Sequence, residues 1–301
     1  MLKQADNTVR IEGLLSEIDL KYTTFMKNGE QVNAIGGVIK IHVNQEINGV
    51  PTELEVPVHM FASEFTNAGS KNPAYQNIER VMKEFVSIAA AGGQAGADAV
   101  RITNGRIMMN EYYGRDGRFI SFPRVTASFV NKIRTDEMAP CATFSTSFVV
   151  ANKAKELASD GVETGRLKVT GVLPQYGGKV DLVDFIVANP NAINAIEQYW
   201  DDNATVVANG RLNFSSKVET IVKEVDFGEP EKTTRTISVS ELLITGGSQS
   251  PLEPGAAYDI EEIQAALVER KARLENLKAS AEQGRTRTAP TEQKGKLDLG
   301  F

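Results

Sequence analysis

Apolar and polar residues alternate along most of the chain, and a helical period interrupts the alternation. Residues 9–20 alternate as a strand and run on extended through Phe25, with Gly13 read as a bulge. Asn28-Gly29 follows, a hairpin dipeptide because both positions accept positive φ. Residues 32–44 form a second strand, Asn48-Gly49 a second turn, and residues 53–65 a third strand in which Pro57 marks an edge or bulge. At residue 73 the period changes. Ile78, Val81, Met82, Phe85 and Ile88 fall at helical spacing and predict one helix over residues 73–91, stopped by Gly92-Gly93. Two more strand-like runs follow, residues 100–113 and 119–133, joined by Gly114-Arg115-Asp116-Gly117.

The pattern then repeats. After a polar break at residues 135–140, residues 142–150, 166–174 and 179–188 read as strands. Asn189-Pro190-Asn191 starts a helix carrying Ala192, Ile193, Ile196 and Trp200, and residues 205–218 and 234–244 complete the set. Asn104-Gly105-Arg106 is answered by Asn209-Gly210-Arg211, each after a helix and inside a strand, which points to duplication. Three strands, a helix and two strands is the order of an OB-fold, a five-stranded barrel. The chain is therefore expected to be mainly β with some helix. Two tandem OB-fold barrels would span residues 1–134 and 135–250. A loop and an amphipathic helix would follow at 251–281, with Asp259 and Glu262 as its capping box. Residues 282–301, rich in Gln, Thr and Lys, are expected to be disordered.

Composition narrows the function classes. Cys141 is the single cysteine, so an intrachain disulfide and a thiolate zinc site are both excluded. His42 and His59 lie in strand sequence and read as strand-surface or core residues. The chain lacks a nucleophile elbow, a phosphate-binding loop, a metalloprotease helix and a dinucleotide fingerprint. No catalytic residue, cofactor or metal is expected, and the enzyme class is disfavoured. No apolar run approaches the ~18 residues that span a bilayer, which predicts a soluble cytoplasmic protein without a membrane partner. The net charge of −6 is unevenly spread. Residues 1–134 carry 15 Lys and Arg against 14 Asp and Glu, whereas residues 135–258 carry 10 against 17. The first half is thus the better candidate for an anionic partner.

Rings and arginines crowd the turn of the 100–133 hairpin: Tyr112, Tyr113, Arg115, Arg118, Phe119, Phe122 and Arg124. This mixture suits a surface that stacks flat rings and neutralises phosphates, although hairpin arginines can also merely solvate a long loop. Neighbours on a regular strand point to opposite faces, and Tyr112 is assigned to the groove in preference to Tyr113. Arg106, Arg115, Arg118 and Arg124 are the leading cations; Lys21, Lys40 and Arg10 are weaker ones. For Phe25, Phe119 and Phe122 core packing and stacking are equally open. In the second half Phe214 is the stacking candidate, Phe185 is open between groove and core, and Lys168, Lys179, Arg211 and Lys217 are the phosphate candidates against an acidic background, while Trp200 reads as core.

Three places in these residues resemble bacterial and phage single-stranded DNA-binding proteins. Glu12-Gly13-Leu14-Leu15-Ser16, running on to Leu20-Lys21-Tyr22-Thr23, looks like that family's first strand. Met60-Phe61 looks like the apolar-Phe end of its third strand. Asn104-Gly105-Arg106-Ile107 through Tyr112, with Asp116-Gly117 and Val125-Thr126-Ala127, looks like its fourth and fifth strands. Residues 142–246 match more thinly, through Gly210-Arg211-Leu212 and Val183-Asp184-Phe185. Asn104 departs from the family's Glu, and Leu14 from its Arg. The resemblance implies coating and protection of single-stranded DNA without sequence preference, in replication, recombination or repair, in bacterial or phage-infected cytoplasm. It places Phe61 at a stacking position. It also implies that the tip Leu297-Asp298-Leu299-Gly300-Phe301 docks on replication or repair proteins, although the family's acidic approach is missing. Two barrels in one chain imply fewer chains per assembly, or a monomer, so both a monomer and an oligomer are open. The competing reading is an OB-scaffold structural or protein-interaction module, in phage assembly or replisome docking, without strong DNA binding. The acidic second half favours it for that half.

Overall fold

The computed structural model describes residues 2–114, 116–158, 160–223 and 231–288. Two barrels of the same topology are built in sequence. In the first, β1 (Asn7–Lys27), β2 (Glu30–Ile47) and β3 (Val50–Ser63) form an antiparallel meander. Both of its turns use the expected Asn-Gly pairs, with Asn28 at φ 52°, Gly29 at 84°, Asn48 at 50° and Gly49 at 81°. Helix α1 (Pro73–Glu84) crosses over, and β4 (Ala99–Tyr113) pairs with β5 (Phe119–Thr126). β5 meets β3 in parallel and β4 meets β1 antiparallel, which closes the barrel.

The second barrel repeats each step. β7 (Cys141–Leu157), β8 (Glu163–Pro174) and β9 (Val180–Val187) form the meander. Helix α3 (Pro190–Tyr199) crosses over. β10 (Thr205–Lys223) pairs with β11 (Glu231–Gly247), and β9–β11 and β7–β10 close the sheet. Both crossover helices begin Asn-Pro. Asn72 and Asn189 accept from free first-turn amides, and the proline at the first helical position has no amide to leave unpaired.

The barrels are joined through β1 and β7, which pair antiparallel with Val9 opposite Phe144. Val9 also faces Gly105 on β4, and Phe144 faces Gly210 on β10. The two Asn-Gly-Arg copies therefore occupy equivalent places about a local two-fold axis. Buried polar contacts reinforce the junction. The Asn7 side chain bonds both the C=O and the N–H of Ile107, and Asp181 accepts from the Met109 N–H. Gln175 donates to Asp181 and to the Ile107 carbonyl. One continuous hydrophobic core runs through both barrels.

Four sequence expectations need correction. The single helix over 73–91 is two: α1 ends at Glu84, and α2 (Ile88–Ala91) starts at its N-cap Ser87. The break is held by Asp98, whose carboxylate accepts the Val86 N–H while its own N–H bonds the Val86 carbonyl. The run 119–133 is also split. Asn77 of α1 bonds both backbone groups of Val130, and β6 (Asn131–Ile133) turns back onto the start of β4. Gly13 is not a bulge; the β1–β2 register shift lies between Leu15 and Glu17. Gly13 is required by close approach, because a Cβ there would lie 2.2 Å from the His42 carbonyl oxygen. Finally, helix α4 (Ile260–Thr288) continues seven residues into the stretch expected to be disordered. Its start is the expected one, with Asp259 accepting from the N–H groups of Glu261 and Glu262.

Candidate nucleic-acid interface

Strand alternation sets the outward face of the first barrel. On β3, Val56, Val58 and Met60 are buried, so His59 and Phe61 point out. On β4, Gly105 and Ile107 face the core, so Arg106, Met108, Asn110 and Tyr112 share the outer face. On β5, Val125 is buried and Arg124 and Thr126 point out. The register then assembles them: Met108 lies opposite Arg124, Arg106 opposite Thr126, and Thr126 beside His59. An open cavity of about 620 Å³ lies over this face, lined by His59, Phe61, Arg106, Met108, Arg124 and Thr126 among others.

Aromatic rings stand at both ends. Phe61, 57% exposed, lies against Gly36, where a Cβ would come within 2.9 Å of its ring. Phe25 packs beside it at 5.6 Å between centroids. At the other end Tyr112, 42% exposed, meets Phe122 edge-on at 6.4 Å. The strand register separates Phe61 from Tyr112 by about 26 Å at ~3.3 Å per residue, room for several nucleotides.

The electrostatics between the rings favour an anion. No carboxylate is among the described residues lining the cavity. Arg106 is exposed and makes no ion pair among the described residues. Arg124 reaches Asn110 Oδ1 only at 3.4 Å, and its Nε is buried with no acceptor among the described residues. A buried donor without a partner costs about 1–3 kcal/mol, which an incoming phosphate oxygen would recover. Burial, and secondarily the Arg124 charge, push the His59 imidazole below its ordinary pKa, so it is neutral at pH 7.

The remaining candidates are placed elsewhere. Tyr113 and Phe119 pack on each other at 5.3 Å, and Phe119 looks into the space between the barrels instead of the groove. Arg118 is exposed and paired with Asp116 at 3.2 Å. Lys21 is exposed on β1 opposite Gly36, and Lys40 is paired with Glu17 at 2.6 Å; neither lines the cavity. Arg10 is corrected to a structural role: with Arg101 and the Ala139 N–H it holds the buried Glu12 carboxylate. Burial alone would raise that carboxyl, but these bonds outweigh it and hold its pKa at about 2. Arg211 donates to the Glu46 carbonyl, tying β10 to the end of β2. Phe214 is buried, because it lies four residues from the inward Gly210 and so shares its face. Arg115 and the tip Leu297-Asp298-Leu299-Gly300-Phe301 lie outside the described residues. Sequence reasoning passed over His59 and Met108. Period-two spacing from Phe61 and Arg106 is the signal that finds both.

The corresponding face of the second barrel is different. On it Arg166 is held by Glu156 at 2.6 Å and Glu241 at 2.9 Å, and the Glu156 bond foremost raises its pKa. Asp184 takes Thr170 at 2.6 Å and Lys168 at 3.4 Å. A space of about 670 Å³ over this face is walled by Phe119 and Pro123 of β5 and by Arg270 and Leu274 of α4. Arg270 and Arg273 anchor α4 to Glu111 on β4.

The sequence model of the YorF family matches residues 5–280. The chain belongs to the YorF family. No curated protein matches this YorF-family chain in sequence. Among solved structures it is similar to the single-stranded DNA-binding protein of Thermus aquaticus, at 11% identity and a TM-score of 0.48. That match covers 85% of this chain and 98% of the other. A deletion variant of the same protein matches at 13% identity and a TM-score of 0.44, covering 83% and 96%. Among the described residues of the YorF-family chain no cluster of His, Cys, Asp and Glu could hold a metal ion. No described helix is long and apolar enough to cross a membrane.

Proposed function

We propose that this protein binds single-stranded DNA without strong sequence preference, across the β3–β5–β4 face of its first barrel. One observation carries the reading. Two guanidinium groups that no carboxylate of the described residues neutralises lie between exposed rings on one face, over an open cavity. Cations following the phosphates supply affinity, and ring faces add about 1–3 kcal/mol per stacked base whatever its identity. Phe61, Arg106, Arg124 and Tyr112 carry the grip. The first-half motifs that resemble single-stranded DNA-binding proteins support the same reading. It is a binding role, not a catalytic one: the protein coats strands during replication, recombination or repair, in bacterial or phage-infected cytoplasm. The second barrel serves as scaffold, a reading favoured by its ion-paired and walled face. The tip at residues 297–301 is the candidate contact for replication or repair proteins.

Fluorescence anisotropy with a labelled oligo-dT tests the proposal. Binding at low salt that weakens steeply with added salt is expected. No binding of the intact protein at low salt overturns it, and leaves the structural or interaction-module reading.

A further inference from the structure

A second cavity of about 620 Å³ opens beside the Phe25–Phe61 end of the face, between β1, β2 and α1. Tyr22 of β1 and Tyr75 of α1 both line it, with Asn33 and Glu64. The two ring centroids are 6.5 Å apart and the planes 35° from parallel. A planar base held between two rings needs about 6.8 Å, two stacking distances of ~3.4 Å. The ring spacing is thus close to that of two rings holding one base, and Tyr22 is 52% exposed.

Polar groups at this cavity are not those of a sequence-blind surface. Asn33 Nδ2 donates to Glu64 Oε2 at 3.0 Å, which orients the carboxylate and leaves Oε1 without a hydrogen-bond partner among the described residues. Tyr22 OH and Lys83 both donate to Glu79, fixing the ring edge, and Lys83 Nζ stands 5.9 Å from the Tyr22 ring.

We propose that the Tyr22–Tyr75 cavity is a slot for a single nucleobase, with guanine preferred through Glu64. The inference rests on the single-strand reading above. Guanine presents two adjacent donors, N1–H and N2–H, on its Watson–Crick edge, and a carboxylate accepts both. Thymine presents one N–H between two carbonyl oxygens that face the carboxylate unfavourably. Adenine and cytosine each offer one amino donor beside a ring-nitrogen acceptor. The protein then combines a sequence-tolerant face with one reading position at its Phe61 end.

The test compares labelled oligo-dT with an equal-length oligomer carrying isolated dG residues, by anisotropy on the intact protein. The dG oligomer is expected to bind about five- to tenfold tighter, at the low end of a bidentate base contact. Glu64→Gln should bring the ratio to about one, and Tyr22→Ala should lower it as well, with unchanged thermal melting as the check on folding. Equal affinities in the unsubstituted protein, or a ratio that survives Glu64→Gln, overturn the slot while leaving the single-strand reading standing. Binding to neither oligomer overturns both.

Discussion

The two barrels share a topology and invert their aromatics. Every buried aromatic among the described residues lies beyond residue 140: Phe144, Phe148, Phe185, Trp200, Phe214 and Tyr258. In the second barrel Phe148 stacks on Phe185 at 4.6 Å, with Trp200 edge-on to Phe148 at 6.0 Å. The first barrel fills the same space with Val, Ile and Leu and shows its rings to solvent, Phe61 and Tyr112 among them. The cations follow suit. Arg124 and Arg106 face a cavity with no carboxylate among its described lining residues, while Arg166 is neutralised twice. One fold can thus carry a binding surface or a scaffold, depending on which strand positions hold its rings and whether its cations are already paired.

The largest expected difference lies in the cores. A Cβ at Gly210 would stand 2.0 Å from the Leu243 carbonyl oxygen and 2.4 Å from the Phe144 ring. At Gly105 the nearest atom would be Val9 Cβ at 3.1 Å. Gly210→Ala should therefore cost about 3 kcal/mol or more, and Gly105→Ala about 1 kcal/mol, read by thermal melting. Equal costs would show that the aromatic packing does not depend on the glycine.

Next comes charge. Reversing Arg106 and Arg124 together to Glu should weaken oligo-dT binding about 100-fold or more at low salt. It should also flatten the salt slope by about 1.4, at ~0.7 per phosphate contact on a single strand. Lys168→Glu, on the second barrel, should change affinity less than about twofold. A comparable loss from Lys168→Glu would place the strand on both barrels and break the contrast.

Stacking should weigh less than charge. Phe61→Ala and Tyr112→Ala should each cost about 1–2 kcal/mol of binding, roughly five- to thirtyfold, with the salt slope unchanged. Phe119→Ala should leave affinity within about twofold, because that ring faces the space between the barrels. Ring loss without effect at Tyr112 would confine the site to the Phe61 end.

How much of this was legible depends on what each position answers to. The Asn-Gly turns, the strand-helix order and the duplicated Asn-Gly-Arg follow from local chemistry, and the structure reproduces them. So does the outward placement of Tyr112, an odd number of residues from the inward Gly105. Arg10 and Arg211 were misplaced for a different reason. Each is a strand arginine whose partner, Glu12 or the Glu46 carbonyl, is set by how the strands and barrels come together. Alternation gives a residue's face but not what another part of the chain lays against it. Phe214 was legible by the same parity that placed Tyr112, and counting from Gly210 would have buried it.

The finest distinction between the two faces is pH. His59 lines the first cavity, and burial and Arg124 both favour its neutral form, so its pKa in the folded protein lies below 6.5. Above pH 6.5 the imidazole is neutral folded and unfolded and contributes no difference. As pH falls below 6.5 the unfolded chain binds the proton first, and stability drops until the folded-state pKa is passed. A phosphate in the cavity acts in the opposite sense, because it favours the imidazolium. Oligo-dT affinity should therefore rise about two- to fivefold between pH 7.5 and 5.5, while the free protein's melting temperature falls. Glu12, held at about 2 on β1, stays ionised across this window. His59→Gln should flatten both curves. An affinity rise that survives His59→Gln would assign it to another group and take His59 out of the site.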